Sequence, residues 1–105
     1  MLGNLELLVL LAILRAAPDA YGVTIADEIE QRANRSISLA AIHTTLSRLE
    51  NKGLVRSRMG EPTPVRGGRA KRFFDLTALG RREVIGALEM VRRMTPGLDL
   101  GVDPA

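Results

Sequence analysis

Apolar residues crowd the first part of this chain and then thin into a regular rhythm. Leu5, Leu7, Leu8, Val9, Leu10, Leu11, Ile13 and Leu14 point in nearly every direction around a helix from Leu5 to Ala16, which Asn4 can cap and which stops before Pro18. A helix that is apolar all round needs cover on more than one side. It is either the centre of the fold or partly covered by a second subunit, and a chain of 105 residues has few elements to surround it, which favours the second subunit. Gly22 to Ala33 sets Val23, Ile25, Ala26, Ile29 and Ala33 against Asp27, Glu28, Glu30 and Arg32, a helix with two distinct faces. After a turn at Asn34 to Ile37, Ser38 can cap a third helix, Leu39 to Lys52. Its Ile42, Leu46 and Leu49 recur at i, i+4 and i+7 as one buried stripe. Gly53 ends it, because glycine takes the left-handed conformation that other residues resist.

Leu54 to Met59 reads as a strand, and Gly60 to Gly68 as a loop punctuated by Gly60, Pro62, Pro64, Gly67 and Gly68. Arg69 to Leu76 reads as the returning strand of a hairpin. Phe74 and Leu76 share the strand face that closes the core; Phe73 is partly exposed, and neither phenylalanine needs a stacking role. Thr77 caps a last helix, Ala78 to Thr95, which Pro96 stops. The expected fold class is mainly α with a small β-hairpin, that is α+β. Three helices followed by a hairpin make a winged helix-turn-helix, here flanked by N- and C-terminal dimerisation helices. The expected division is a DNA-binding domain at 1–77, including the first helix, a dimerisation helix at 78–96 and a flexible tail at 97–105.

Charge sharpens this picture. Of the chain's 15 Lys and Arg, nine fall between residues 35 and 75 against Glu50, Glu61 and Asp75, so that segment is net +6 and the remainder net −3. Such asymmetry is the electrostatic footprint of a protein that binds a nucleic-acid groove. The lack of cysteine removes disulfides, thiolate metal sites and thiol nucleophiles, and fits a reducing compartment. With one histidine, no acid cluster and no glycine-rich phosphate loop between a strand and a helix, neither an enzyme nor a metal or cofactor site is expected. The run Leu7 to Leu14 is far shorter than the roughly 20 residues of a membrane span. It also lacks the upstream basic residues of a secretory signal, so a cytoplasmic protein with no membrane role is expected.

Opposite the buried stripe of the third helix lie Ala40, His43, Thr44, Ser47 and Asn51, bordered by Ala41 and Arg48. Small residues let the backbone approach base edges. Thr44 can donate, accept or touch a thymine methyl, and His43 can hydrogen-bond a base or phosphate or simply be a solvated helix residue. Arg48 and Lys52 are placed to hold phosphates, an exposed ion pair within the helix being the plainer alternative. In the hairpin, Arg66, Gly67, Gly68 and Arg69 form a cationic tip that Lys71 follows on the same strand face; such a tip can straddle phosphates or enter a minor groove. In the last helix Val84, Leu88 and Val91 form one stripe, widened by Ile85, Ala87, Met90 and Met94 beyond what a small domain needs. A winged-helix module that binds only another protein would explain the fold, but would leave the +6 segment without a purpose.

The stretch Ser38 to Leu54 (SLAAIHTTLSRLENKGL), followed by Arg66 to Arg81 (RGGRAKRFFDLTALGR), resembles the PadR family of transcriptional regulators. Upstream, Leu5 to Leu14 (LELLVLLAIL) and Tyr21-Gly22 match that family's first helix and the start of its second. The resemblance covers roughly residues 2 to 95, and the single helix after the wing is similar to the family's compact branch. It implies a homodimeric repressor on a palindromic operator in double-stranded DNA. The DNA-binding set is then Tyr21, Ser38, Ala40, Ala41, His43, Thr44, Ser47, Arg48, Arg66, Arg69 and Lys71. The dimer set is Leu5, Leu8, Leu11, Val84, Ile85, Leu88, Val91 and Met94. It also implies an apolar small-molecule effector near the dimer contact, with the Leu-rich first helix as its candidate lining. Where the family usually carries tyrosine this chain has His43, a departure that bears on the operator sequence.

Overall fold

The computed structural model describes residues 2–61 and 70–101. Its elements are α1 (Asn4–Ala16), α2 (Gly22–Ala33), α3 (Leu39–Asn51), β1 (Val55–Met59), β2 (Arg72–Leu76) and α4 (Ala78–Met94). The strands pair antiparallel in the register Val55↔Leu76, Arg56↔Asp75, Ser57↔Phe74, Arg58↔Phe73 and Met59↔Arg72. This is the winged helix-turn-helix arrangement that the element order predicts.

The helix boundaries follow from local chemistry. The first helix begins one residue earlier than expected: Gly3, not Asn4, is the cap, and the Glu6 carboxylate accepts the Gly3 amide at 3.0 Å, which satisfies one of the donors a helix start leaves open. Ser38 Oγ accepts from the Ala41 amide at 3.1 Å and Thr77 Oγ1 from the Gly80 amide at 3.1 Å, as the two hydroxyl caps require. Gly53 sits at φ 76°, where a Cβ would be strained, and Asn34 takes φ 54° at the end of α2.

α1 packs against α2, α3, β2 and α4. Its Val9, Leu10, Ala12 and Ile13 are buried with Ile25, Ile29, Ile42, Leu46, Leu49, Leu54, Val55, Phe74, Leu76 and Val84. Its apolar circumference is thus mostly explained inside one chain, and the central-helix reading accounts for more of α1 than the sequence favoured. Val23, expected on the apolar face of α2, is exposed.

α4 is held firmly only at its beginning. Thr77 Oγ1 donates to the Gly53 carbonyl at 2.6 Å and the Thr77 amide to the Leu54 carbonyl at 3.0 Å. Gly80 lies so close to Leu54 that a Cβ there would stand 2.0 Å from the carbonyl oxygen. Gly80 and Val84 are buried, and beyond them the helix has no buried residue.

Candidate nucleic-acid interface

The stripe that α3 gives to the core comprises Ile42, Thr45, Leu46 and Leu49, and Thr45 satisfies its buried hydroxyl by donating to the Ala41 carbonyl at 2.8 Å. Helical geometry then turns Ala40, His43, Thr44, Ser47, Arg48 and Asn51 to solvent, with Ser38 exposed at the cap and Ala41 half-buried. Thr44 Oγ1 donates to the Ala40 carbonyl at 3.0 Å. Its proton is therefore used within the helix, which leaves its lone pairs and methyl group to face outward.

The start of α2 joins this helix face to the hairpin. The His43 imidazole packs on Gly22, its Cε1 and Nε2 each 3.0 Å from where a Cβ would be. On the preceding residue, the Tyr21 hydroxyl accepts from Lys71 Nζ at 3.3 Å, and the same ammonium lies 4.5 Å from the Tyr21 ring centre. A continuous path, from His43 through Gly22 and Tyr21 to Lys71, brings the exposed face of α3 and the far end of the hairpin together.

Ion pairing sorts the cations of the basic segment. Lys52 is bound to Glu6 of α1 at 2.6 Å, a partner from another helix rather than the intrahelical one. Arg72 pairs with Glu50 at 3.0 Å, and Arg58 with Asp75 at 3.7 Å while donating to the Pro18 carbonyl at 3.0 Å. Arg35, Arg48, Arg56 and Lys71 are exposed and have no carboxylate partner among the described residues. Arg66 and Arg69 lie outside the described residues. The hydrogen bond from Lys52, and then the one from the Gly3 amide, hold the Glu6 carboxyl below its ordinary value of 4.5.

Sequence reasoning missed Phe73. Its ring meets the Tyr21 ring edge-to-face, with centroids 5.7 Å apart and planes at 83°, and the Arg58 guanidinium lies 4.7 Å from its centre. Such an aromatic pair contributes about 0.5–1.5 kcal/mol and an exposed cation–π contact about 0.5–1 kcal/mol. The signal was the register: once Met59 pairs with Arg72, Arg58 stands directly opposite Phe73. The returning strand is also shorter than expected, beginning at Arg72 rather than Arg69.

Among the residues expected at a dimer contact, Val84 is buried in the core of this single chain and has no surface left to offer. Leu5, Leu8 and Leu11 are half-buried against the core, whereas Ile85, Leu88, Val91 and Met94 are exposed, as are Leu79 and Met90. Between α1 and α2 lies a groove of about 400 Å³ lined by Leu8, Leu11, Leu14 and Ile29 together with Arg15 and Arg32. Among the described residues, no helix is long and apolar enough to cross a membrane, and no group of three or more His, Cys, Asp or Glu is placed to hold a metal ion.

Comparison with known proteins adds two findings. Residues 10–85 match the family described as "Transcriptional regulator PadR-like family". Among solved structures, the chain is similar to a PadR family transcription regulator from hypervirulent Clostridium difficile R20291 (TM-score 0.72, 24% identity, 88% of this chain and 91% of that one). It is similar also to a transcriptional regulator from Clostridium thermocellum (TM-score 0.70, 18% identity, 89% and 90%). A third is Bacillus subtilis PadR in complex with operator DNA (TM-score 0.67, 15% identity, 96% of this chain and 53% of that one). No curated protein matches the sequence.

Proposed function

This chain belongs to the PadR-like family of transcriptional regulators, and from that premise we propose that it is a homodimeric repressor that reads a palindromic operator in duplex DNA. The observation that carries the reading is the contact path from His43 through Gly22 and Tyr21 to Lys71, which sets the exposed face of α3 beside the hairpin. On this reading Ala40, Ala41, His43, Thr44 and Ser47 meet base edges in the major groove, while Ser38, Arg48, Tyr21 and Lys71 meet the backbone and Arg66 and Arg69 extend the wing contact. Arg48 and Lys71 suit this role because no carboxylate competes for them among the described residues. B. subtilis PadR, which shares the fold, was solved with operator DNA.

Dimerisation rests on α4. Because Ile85, Leu88, Val91 and Met94 are already partly buried, covering them with a second copy would supply about 3–7 kcal/mol gross from each copy, out of about 1.5–3 kcal/mol for a fully exposed side chain, before the cost of association is subtracted. Leu5, Leu8 and Leu11 of α1 are the matching half-exposed surface. A groove near 400 Å³ also lies within the roughly 300–1,000 Å³ range of small-molecule sites, which supports an apolar effector on α1.

Fluorescence anisotropy on labelled duplexes across a salt series tests the DNA reading. With Z phosphates neutralised, log affinity should fall against log salt with a slope near −0.9Z. Selection from random duplexes should return paired half-sites about one helical turn apart. A flat salt response would instead favour a winged-helix module that docks on protein.

A further inference from the structure

Resting on the DNA-binding reading above, we propose that Phe73, seated on Tyr21, is a positioning residue that fixes the angle of the wing to α3. The hairpin is anchored unevenly. At its base, Val55, Phe74 and Leu76 are buried, and the Phe74 amide donates to the Ala20 carbonyl at 2.8 Å. At its far end, Met59 and Arg72 are exposed, and the ties to the helices there are polar and open to solvent: Arg72 to Glu50 of α3 at 3.0 Å and Lys71 to the Tyr21 hydroxyl at 3.3 Å. A two-stranded ribbon buried at one end and tied at the other by exposed polar contacts, each worth little, can still swing. Over four residues at about 3.4 Å each, a tilt of roughly 10° moves the far end by about 2 Å, enough to lose a phosphate contact.

Phe73 sits on the fourth of the five register pairs, where restraint against that swing is most effective. Its ring is enclosed by three groups from two parts of the fold: the edge contact with Tyr21, the guanidinium of Arg58 and the bare Cα of Gly60. A Cβ on Gly60 would stand 2.5 Å from the Phe73 ring, so the ring occupies the space that glycine leaves. The Gly60 amide donates to the Lys71 carbonyl at 2.7 Å and closes the hairpin one step beyond the last strand pair. Arg58 reaches back to the Pro18 carbonyl, so the segment between α1 and α2 grips the hairpin through Pro18, Ala20 and Tyr21. Because Tyr21 adjoins Gly22, on which His43 packs, the same seat locates Lys71 relative to the exposed face of α3. Phe73 touches no DNA in this scheme; it places the residues that do.

Two measurements on the full chain test this. Hydrogen exchange at the Gly60 amide reports the seat without any DNA, and the salt slope of DNA binding reports its use. Phe73→Leu, which keeps an apolar side chain but removes the ring, should speed Gly60 exchange. It should also make the salt slope shallower by about 1–2 and lower affinity about tenfold for operator and random duplex alike. Gly60→Ala, which pushes the ring aside and alters no charge, should do the same and serves if Phe73→Leu folds poorly. Tyr21→Phe keeps the ring and should leave Gly60 exchange near that of the unaltered protein. Unchanged Gly60 exchange in both Phe73→Leu and Gly60→Ala would overturn the proposal, as would faster exchange with an unchanged salt slope. If the unaltered protein binds DNA with no salt dependence, the function proposed above fails instead, and Gly60 exchange still decides whether Phe73 holds the wing.

Discussion

Helices α3 and α4 are both amphipathic and both start at a hydroxyl cap, yet one chain completes the first and leaves the second open. α3 gives Ile42, Thr45, Leu46 and Leu49 to the core and shows solvent only Leu39 among its large apolar residues. Past Val84, α4 leaves Ile85, Leu88, Met90, Val91 and Met94 exposed, and among the described residues it buries none. The difference separates two kinds of surface. Apart from Leu39, the exposed groups on α3 are small or polar and cost little in water, so the face can wait for a charged partner that comes and goes. On α4 five large apolar side chains are left exposed among arginines, so water is an unfavourable neighbour and a partner surface is the natural cover.

The strongest way to break this comparison is to place one charge at each of two positions a single turn apart. Val84→Asp buries a carboxylate in the core, at a cost of several kcal/mol, and should leave the chain largely unfolded by far-UV circular dichroism. Leu88→Asp should leave helix content intact but halve the mass seen by light scattering, and operator affinity should fall with it as the paired half-sites are lost. A dimer of full mass in Leu88→Asp would show that the exposed arc of α4 is not the contact. Next in size is Gly80→Ala. Its new methyl group would meet the Leu54 carbonyl, a backbone atom that cannot step aside, so the start of α4 must lift from the hairpin. Overpacking of this kind costs about 1–3 kcal/mol, and a melting temperature lower by about 5–20 °C is expected. An unaltered melt would mean that the anchored first turn does not hold α4.

What could be read from the sequence was whatever a few adjacent residues decide. Ser38, Thr77 and Gly53 mark their boundaries by chemistry within one turn, so α3 and the start of α4 were legible, and the apolar stripe of α3 identified its outward face. What could not be read depends on partners far along the chain. Lys52 looks like a free cation until Glu6, 46 residues earlier, is found beside it. Val84 looks like its neighbours Ile85 and Leu88 until the close approach of Gly80 to Leu54 fixes how α4 leaves the core. The returning strand reads as starting at Arg69 because alternation continues there, whereas a strand is defined by its partner, and the last pair is Met59 with Arg72. Phe73 was misjudged for the same reason: its neighbours Tyr21 and Arg58 come from other segments.

A smaller effect sharpens the reading of α3 as a finished surface. Thr44→Ala removes a hydroxyl whose proton is already bonded within the helix, so the free protein should keep its stability to within about 0.5 kcal/mol. Discrimination between operator and random duplex should fall by about 1 kcal/mol, roughly fivefold, through the lost acceptor and methyl contacts. Competition binding with the two duplexes measures it. Unchanged discrimination would mean that this face of α3 does not read bases.

The smallest expected effect concerns the one ion pair that ties α3 to α1. Glu6→Gln keeps an oxygen for the Gly3 amide but removes the charge opposite Lys52, and a pair with one partner exposed and the other half-buried contributes about 0.2–1 kcal/mol. The pH dependence identifies the cause. Because the Glu6 carboxyl is held below its ordinary value in the folded protein, chiefly by Lys52, its contribution is complete above the ordinary carboxyl range and disappears as pH falls through the lowered folded value. Urea unfolding should therefore find Glu6→Gln weaker than the unaltered chain near neutral pH, and the gap should close once pH falls below the lowered Glu6 value, where both carry a neutral group at that position. A gap that persists into acid would assign the loss to packing rather than charge, and would make the far end of α3 depend on shape alone, as its buried stripe does.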